Sequence, residues 1–536
     1  PRDVRATPGW PAAYHGPARP AMSPSCAVRP APRERDPRRR SPAPPSPPLF
    51  PVPRELFDPH GPFLLPLLLL IASRLFAWML LPLASEDAYI TFRYARNLAV
   101  GHGLVYNPDA HVMGFSSPPW TLWSALGYVL TRDPVAWARW TSLAADALTM
   151  LLVGTMLARR ASAEARAAAW CFTLFFAAWP FFAVVSASGL ENGTMFCLVA
   201  LSAALTGRGS ALGGPVLGML ALWRPEGMAA ALVLGLGARR RERIVAAVLV
   251  AAGLTALAFY FGSPVPQSVL AKSALYGTPG PWGGRSWWDW LLPILPASSP
   301  ISTEGVHLFP LAVLVAPALV AGVPELWRER RSPLALTVAA ALVVWLGYAT
   351  LGVAYFWWYL AVPLGGIAAL AAVGLPALVR GRGVYAAAAL YVLTAWFAAR
   401  TLYLGRAQNE YFGFARAGDW LAAHARAGEK VMLEPIGMVG YAAPLVVVDE
   451  IGLVSPAVAR RRLRGAGWYA DVAESERPDW LVVRRGMLEH GTAFAGAGAP
   501  FRTEAERDSL LARYTPRTVV DEPSGENALV VLRRAR

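Results

Sequence analysis

The run FLLPLLLLIASRLFAWMLLPL at residues 63–83 passes directly into ASEDAYITFRYARNLA at 84–99, and these two stretches decide the class of fold. The first supplies the roughly 20 mostly apolar residues that a helix needs to cross a hydrocarbon core. The second opens on adjacent carboxylates, Glu86 and Asp87. Over 88–100, Arg93, Arg96 and Asn97 then fall at helical spacing on one stripe, with Ile90, Tyr94 and Leu98 on another. That pattern predicts a helix lying in the membrane interface, ended near Gly101–Gly103 and followed by a turn at 107–109.

Outward from there the apolar theme recurs. Further spans are expected at 135–158, 167–186, 192–206, 244–262, 306–323, 333–351, 358–379 and 384–404. The block at 211–237 is interrupted by Trp223, Arg224, Pro225, Glu226 and Gly227, and each flank reaches only ~20 Å. It is expected as two short helices, 211–223 and 226–237, with the break facing a cavity, where irregular backbone is tolerated. Arginine clusters at 38–40, 159–160, 239–243, 328–331 and 380–382 fall on one side if that block counts as two crossings. Because cytoplasmic loops are enriched in Lys and Arg, this predicts eleven crossings, a cytoplasmic N-terminus and an outer C-terminus.

Composition agrees. The chain has 536 residues, 55% hydrophobic and 16% charged, with mean hydropathy +0.37, whereas a soluble domain carries nearer a quarter charged. An ordinary soluble enzyme is excluded. The net charge of +15 lies in loop clusters rather than in a nucleic-acid-binding stripe, so no nucleic acid partner is expected. Three cysteines at no ligand spacing predict neither a disulfide framework nor a zinc site.

Three regions follow. Residues 1–60, with 17 of the 47 prolines and 10 arginines against five acids, read as a disordered cytoplasmic tail. Residues 61–404 form the membrane module, with outer loops 84–134 and 263–305. Residues 405–536 alternate strand-like runs (430–433, 445–448, 480–483, 528–532) with helical pieces such as 415–427, predicting an outer α/β domain. The fold class expected is mainly α: a polytopic helical bundle carrying this C-terminal domain.

Chemistry is expected at the outer face. Glu86 and Asp87 offer a base for an acceptor hydroxyl, or two oxygen ligands for Mg²⁺ or Mn²⁺; the bland alternative is that residues 85–87 cap a helix. Both carboxylates are expected in a solvated loop. Lys272, one of two lysines among 50 basic residues, is either a point charge for a phosphate or a lysine snorkelling to lipid headgroups. Arg224 and Glu226 are costly near a bilayer centre, so they are expected to be paired or cavity-facing, as is Glu191 at a helix end. Aromatic residues at 282–290 and 356–359 read as an interfacial belt, and His102 and His111 as loop hydrogen-bonders. No P-loop and no nucleophile elbow is present, which counts against a nucleotide cofactor and points to a donor delivered through the lipid.

The segment at 85–98, followed by GHGLVYNP at 101–108 and GFSSPPW at 114–120, resembles the acidic-pair segment of GT-C glycosyltransferases, most closely the group around the mycobacterial terminal arabinofuranosyltransferase. SGLE at 188–191, RPEG at 224–227, PQSVLAK at 266–272 and VDEIG at 448–452 resemble further blocks in the same order, so the likeness runs from about residue 62 into the C-terminal domain. It implies a multi-pass enzyme of a bacterial cytoplasmic membrane that moves a sugar, with arabinofuranose the best-known cargo, from a polyprenyl-phosphate donor to a cell-surface glycan. It also implies catalytic roles for Glu86 and Asp87 and substrate contacts from Tyr89, Arg93, Glu191, Arg224, Glu226, Gln267 and Lys272, the last with Arg224 holding the donor phosphate. The family's Asp-Asp is Glu-Asp here, and either carboxylate is a candidate base. The competing class is a transporter or flippase of lipid-linked saccharides, which also uses broken helices with buried charge but has no need of an acidic pair on an interfacial helix. A non-catalytic glycan-binding membrane protein would reduce the pair to helix caps.

Overall fold

The computed structural model describes residues 61–162, 164–276, 290, 309–351, 353, 355–379, 393, 396, 405–488, 498–520 and 528–535. The expected tail at 1–60, the loop beyond Tyr276 apart from Trp290, Arg380 and Arg382, and the expected crossing at 384–404 apart from Leu393 and Trp396 lie outside the described residues.

The helical module runs α1 (Leu64–Leu80), α2 (Glu86–Ala99), α3 (Pro118–Thr131), α4 (Pro134–Ala158), α5 (Ala165–Ala178), α6 (Pro180–Ala187), α7 (Asn192–Leu205), α8 (Gly213–Trp223), α9 (Gly227–Gly235), α10 (Arg240–Phe261), α11 (Gln267–Tyr276), α12 (Phe309–Arg328), α13 (Pro333–Thr350) and α14 (Ala361–Leu378), the last entered through a 3-10 turn at Trp357–Leu360. Among the described residues α4, α10, α13 and the 357–378 stretch are long and apolar enough to cross a membrane, and α5 with α6, bent by 50°, makes a fifth. α1, α7 and α8 are shorter apolar helices.

The bend between α5 and α6 falls at Pro180, which has no N–H to continue the helix. Carbonyls freed there accept from Arg74, whose Nη1 reaches Ala177 O at 2.7 Å and Nη2 Phe176 O at 3.1 Å. Its Nε pairs with Asp146 Oδ2 at 2.9 Å, and Arg74 is fully buried. This intramembrane charge pair, which the sequence analysis did not single out, is therefore a clasp on a broken helix. Arg139 acts alike at the other end, donating to Ala187 O at 3.0 Å and Leu81 O at 2.5 Å.

α8 and α9 form a hairpin. Glu242 accepts from the backbone N–H groups of both Gly207 and Arg239, and Arg239 Nε donates to Gly207 O, so the block starts and ends at one place with Arg224–Glu226 at its far tip. Gly227 fits the turn because a Cβ there would lie 2.1 Å from Leu220 O. At the open end Arg160 pairs with Glu329 (3.3 Å) and Glu325 (3.7 Å). Arg160 beyond α4 thus meets the end of α12, while the tip and the α1–α2 junction each meet the α6–α7 junction.

The C-terminal domain comprises α15 (Gly405–His424), β1 (Lys430–Leu433), α16 (Ile436–Ala442), β2 (Val446–Asp449), α17 (Pro456–Arg462), α18 (Trp468–Glu476), β3 (Trp480–Arg484), α19 (Arg485–Leu488), α20 (Glu504–Leu511), β4 (Tyr514–Val520) and β5 (Leu529–Arg534). The sheet order is β2-β1-β3-β5-β4; β2, β1 and β3 are parallel, while β5 is antiparallel to β3 and β4. Side chains alternate between faces: Val431, Leu433, Val447, Trp480 and Val482 pack with Tyr94, Tyr106, Phe115 and Leu421, whereas Met432, Val448, Leu481 and Val483 pack with Val458, Tyr469 and Phe501. One face of the sheet thereby shares a core with the first outer loop. The four expected strands are present within a residue or two. The fifth, β4, was not predicted: Pro516 interrupts its pattern, and the ladder shifts register between Pro516 and Thr518, which an edge strand tolerates.

Two expectations are corrected. The polar stripe of α2 faces protein rather than an aqueous interface, since Arg93 and Asn97 are buried and α2 packs between α3 and α16. Those polar groups find carbonyl acceptors in other segments, which spacing along one helix does not reveal. The described part of the aromatic set is also internal: Trp290 stacks on Tyr348 (5.3 Å) and Tyr348 on Tyr359 (5.2 Å), with Trp357 and Trp358 buried. Trp282, Trp287 and Trp288 lie outside the described residues.

Candidate active site

α2 begins at Glu86, and consecutive helical residues point about 100° apart, so the two carboxylates address different neighbours. Glu86 accepts the backbone N–H of Gly437, at the start of α16. Burial, with the charges of Asp87 and Glu434 beside it, pushes its carboxyl well above the usual range, so the neutral form is favoured. Asp87 lies 3.5 Å from Lys272 Nζ, with about a third of its side chain exposed. Ser85 makes no side-chain cap; its Oγ sits 3.4 Å from the Tyr411 hydroxyl, and its N–H donates to Ser188 O at 2.8 Å. Both carboxylates are half-buried at the first turn of α2, and Glu86 is met there by Gly437 of the C-terminal domain, which corrects the expected solvated loop.

Lys272 is positioned by α11. Gln267 fixes the start of that helix, with its N–H on Met113 O (2.8 Å) and its Nε2 on Gly452 O (3.0 Å). The Lys272 ammonium lies 4.6 Å from the centre of the Phe356 ring, a cation–π distance, and Phe356 stacks on Trp358 at 4.7 Å. Phe356 also meets Tyr359 edge-on at 5.7 Å, and Tyr359 carries the Arg224 guanidinium 5.1 Å from its ring centre.

Arg224 sits between two carboxylates. Its Nη1 pairs with Glu191 and its Nε with Glu226, whose Oε1 also accepts the Tyr348 hydroxyl at 2.6 Å. Ser116 Oγ approaches Glu191 Oε1 at 3.4 Å. One cation facing two buried anions leaves no net positive charge for a phosphate. The arrangement is the internal pairing weighed from the sequence, and it corrects the expected role of Arg224 as a phosphate clamp.

The remaining expected residues separate by position. Arg93 is directed away from Lys272 and into the C-terminal domain, donating to Tyr106 O (3.0 Å), Gly440 O (2.6 Å) and Leu445 O (2.6 Å). Those bonds make it a clamp between module and domain and correct its expected substrate contact. Asn107 assists by bonding both the N–H and the C=O of Val447. Tyr89 packs edge-on against Phe92 and Tyr441, each at 5.6 Å. His111 stacks edge-on with Tyr260. Residues that sequence spacing did not find are Tyr411, Glu434 and Arg484. Arg484 bonds Glu434 Oε2 (3.0 Å) and Glu410 Oε1 (3.0 Å), and Glu434 adds its charge beside Glu86. Glu434 and Arg484 stand at the ends of β1 and β3, and Tyr411 lies on α15.

As a dication site the pair is incomplete. Among the described residues no group of three His, Cys, Asp or Glu could hold a metal ion. Asp87 already faces an ammonium, and Glu86 favours its neutral form.

The fold is similar to that of ArnT from Cupriavidus metallidurans bound to undecaprenyl phosphate, at a TM-score of 0.55 and 14% identity over 87% of this chain and 97% of that one. The apo state of ArnT gives 0.56 at 13% identity, with the same coverage. The Archaeoglobus fulgidus oligosaccharyltransferase tethered with an acceptor peptide gives 0.47 at 13% identity over 88% and 74% of the two chains. The chain and ArnT thus share a fold, here a multi-helix module with a C-terminal α/β domain. Residues 400–527 match a family described as a domain of unknown function (DUF8728). No curated protein matches the chain.

Proposed function

We propose that the chain is a membrane glycosyltransferase that takes a sugar from a polyprenyl-phosphate donor and passes it to a cell-surface glycan at the outer face of a bacterial cytoplasmic membrane. The observation that carries this is the Asp87–Lys272 pair at 3.5 Å, set where three helix junctions of a GT-C fold meet the C-terminal domain. Asp87 takes the proton of the acceptor hydroxyl. Lys272, a compact cation on an aromatic ledge, holds the leaving phosphate; stabilising charge that develops on a leaving group is a large term that a base alone does not supply. Glu86, anchored on Gly437, is the neutral partner that orients the first turn of α2. Arabinofuranose is the sugar implied by the resemblance of residues 85–120, and undecaprenyl phosphate in the ArnT structure supports a polyprenyl carrier. The eleven crossings, with the N-terminus cytoplasmic and 405–536 outside, complete the reading.

The test is sugar release and transfer from a panel of polyprenyl-phosphate sugars by the chain in nanodiscs, with and without EDTA, beside the Glu86→Gln/Asp87→Asn double variant. Turnover of one donor by wild type alone, unaffected by EDTA, is expected. No turnover of any donor, with labelled lipid crossing the bilayer instead, would replace the enzyme by a flippase.

A further inference from the structure

The parallel strands run in the order β2-β1-β3, so the chain leaves β1 to one side for β2 and returns to the other side for β3. A crevice outside the carboxyl ends of strands at such a reversal is where open α/β sheets bind ligands. Here Glu434 follows β1, Glu450 follows β2 and Arg484 ends β3. The same crevice receives Glu86 of α2 on the N–H of Gly437. Within it Glu434 Oε2 accepts from Arg484 Nε (3.1 Å) and Nη2 (3.0 Å). Glu450 is more than nine-tenths buried, and its Oε1 has no hydrogen-bond partner among the described residues. Its N–H donates to Leu433 O at 3.1 Å, and Leu433 pairs with Asp449, so Glu450 and Glu434 leave neighbouring strands side by side. A buried acceptor without a donor is costly, and a ligand hydroxyl would supply one.

We propose that Glu434, Glu450 and Arg484 form a subsite for the hydroxyl groups of a neutral glycan, adjoining Glu86 and Asp87. This rests on the proposed transfer to a glycan acceptor and assigns the acceptor side of that reaction to the C-terminal domain. The chemistry selects the ligand class. Burial and Glu434 push the Glu450 carboxyl up to about 8, and Glu86 is likewise held neutral. The charges that remain, Glu410, Glu434 and Asp449 against Arg484 and Arg462, leave no positive excess. A phosphate would meet carboxylates, and a dication would lack a ligand set. A sugar hydroxyl, which donates and accepts at once, matches a carboxyl–guanidinium array.

The experiment uses the full chain in nanodiscs without donor lipid. Saturation-transfer NMR is recorded with methyl α-arabinofuranoside, methyl α-mannoside and methyl β-galactoside. At least one glycoside is expected to bind, with its Kd raised tenfold or more by Glu450→Leu and by Glu434→Gln and unchanged by the exposed Glu474→Gln. Glu450 has no Oε1 hydrogen bond to lose, so an unchanged Tm of Glu450→Leu shows that weaker binding is not unfolding. Failure of every glycoside to bind wild type, or equal binding by both variants, would overturn the subsite. Intact, variant-sensitive binding with no sugar transfer from any donor would instead remove the proposed function and leave the subsite standing.

Discussion

Replacing the two carboxylates of the acidic pair one at a time should give unequal losses, although they are neighbours in sequence. Asp87→Asn removes the carboxylate that faces Lys272 at 3.5 Å and open space. Loss of a positioned general base typically costs 10²–10⁴-fold, which is about 3–5 kcal/mol of transition-state stabilisation. Glu86→Gln keeps an oxygen for the Gly437 N–H and mimics the neutral form that burial, Asp87 and Glu434 already favour. Its effect on kcat/KM should stay within about tenfold, well below the loss of a general base. Stability supplies a second readout. An acid whose folded pKa is raised binds more protons folded than unfolded, so the stability it contributes is present at low pH and is lost as pH rises through the folded value. The Gln variant should therefore melt higher than wild type at alkaline pH and equally at acidic pH. The assay is transfer kinetics in nanodiscs with thermal melts from pH 5 to 9. A Glu86→Gln variant as inactive as Asp87→Asn, or an active Asp87→Asn, would refute the division of roles.

Arg93→Ala leaves the Gly440 and Leu445 carbonyls without their donor, at about 1–3 kcal/mol each, while Tyr106 O keeps Asn97 Nδ2, and it should lower Tm and open the C-terminal domain to protease. Arg224→Leu strands Glu191 and Glu226 as buried charges, a loss of about 3–5 kcal/mol; adding Glu226→Gln should recover part of the Tm, and no recovery would speak against the pairing. Glu450, raised from 4.5 to about 8, destabilises the fold progressively across that window as pH rises. Melts of Glu450→Gln between pH 5 and 9 should accordingly be flatter than those of wild type.

The sequence by itself determined what local pattern controls. Apolar runs, the helix starting beside Glu86, the break at 224–227 and the β-branched runs of the parallel strands each depend on residues within a few turns of one another, whereas the expected span at 167–186 is broken at Pro180. Glu86, Asp87, Lys272, Glu191, Arg224 and Glu226 were all visible as charges out of place in an apolar chain. Tertiary structure decided what each of them faces. Arg224 stands between Glu191 and Glu226, which are 33 residues before it and two after it, so its charge is cancelled rather than offered to a phosphate. Arg93 has its acceptors at Gly440 and Leu445, about 350 residues away, and Arg74 has its own at Phe176 and Ala177. Electrostatics acts through distance in space, and a buried hydrogen bond requires a partner whatever its place in the chain. For that reason the crevice at Glu434, Glu450 and Arg484, assembled from the ends of three strands, exists only once the sheet has formed.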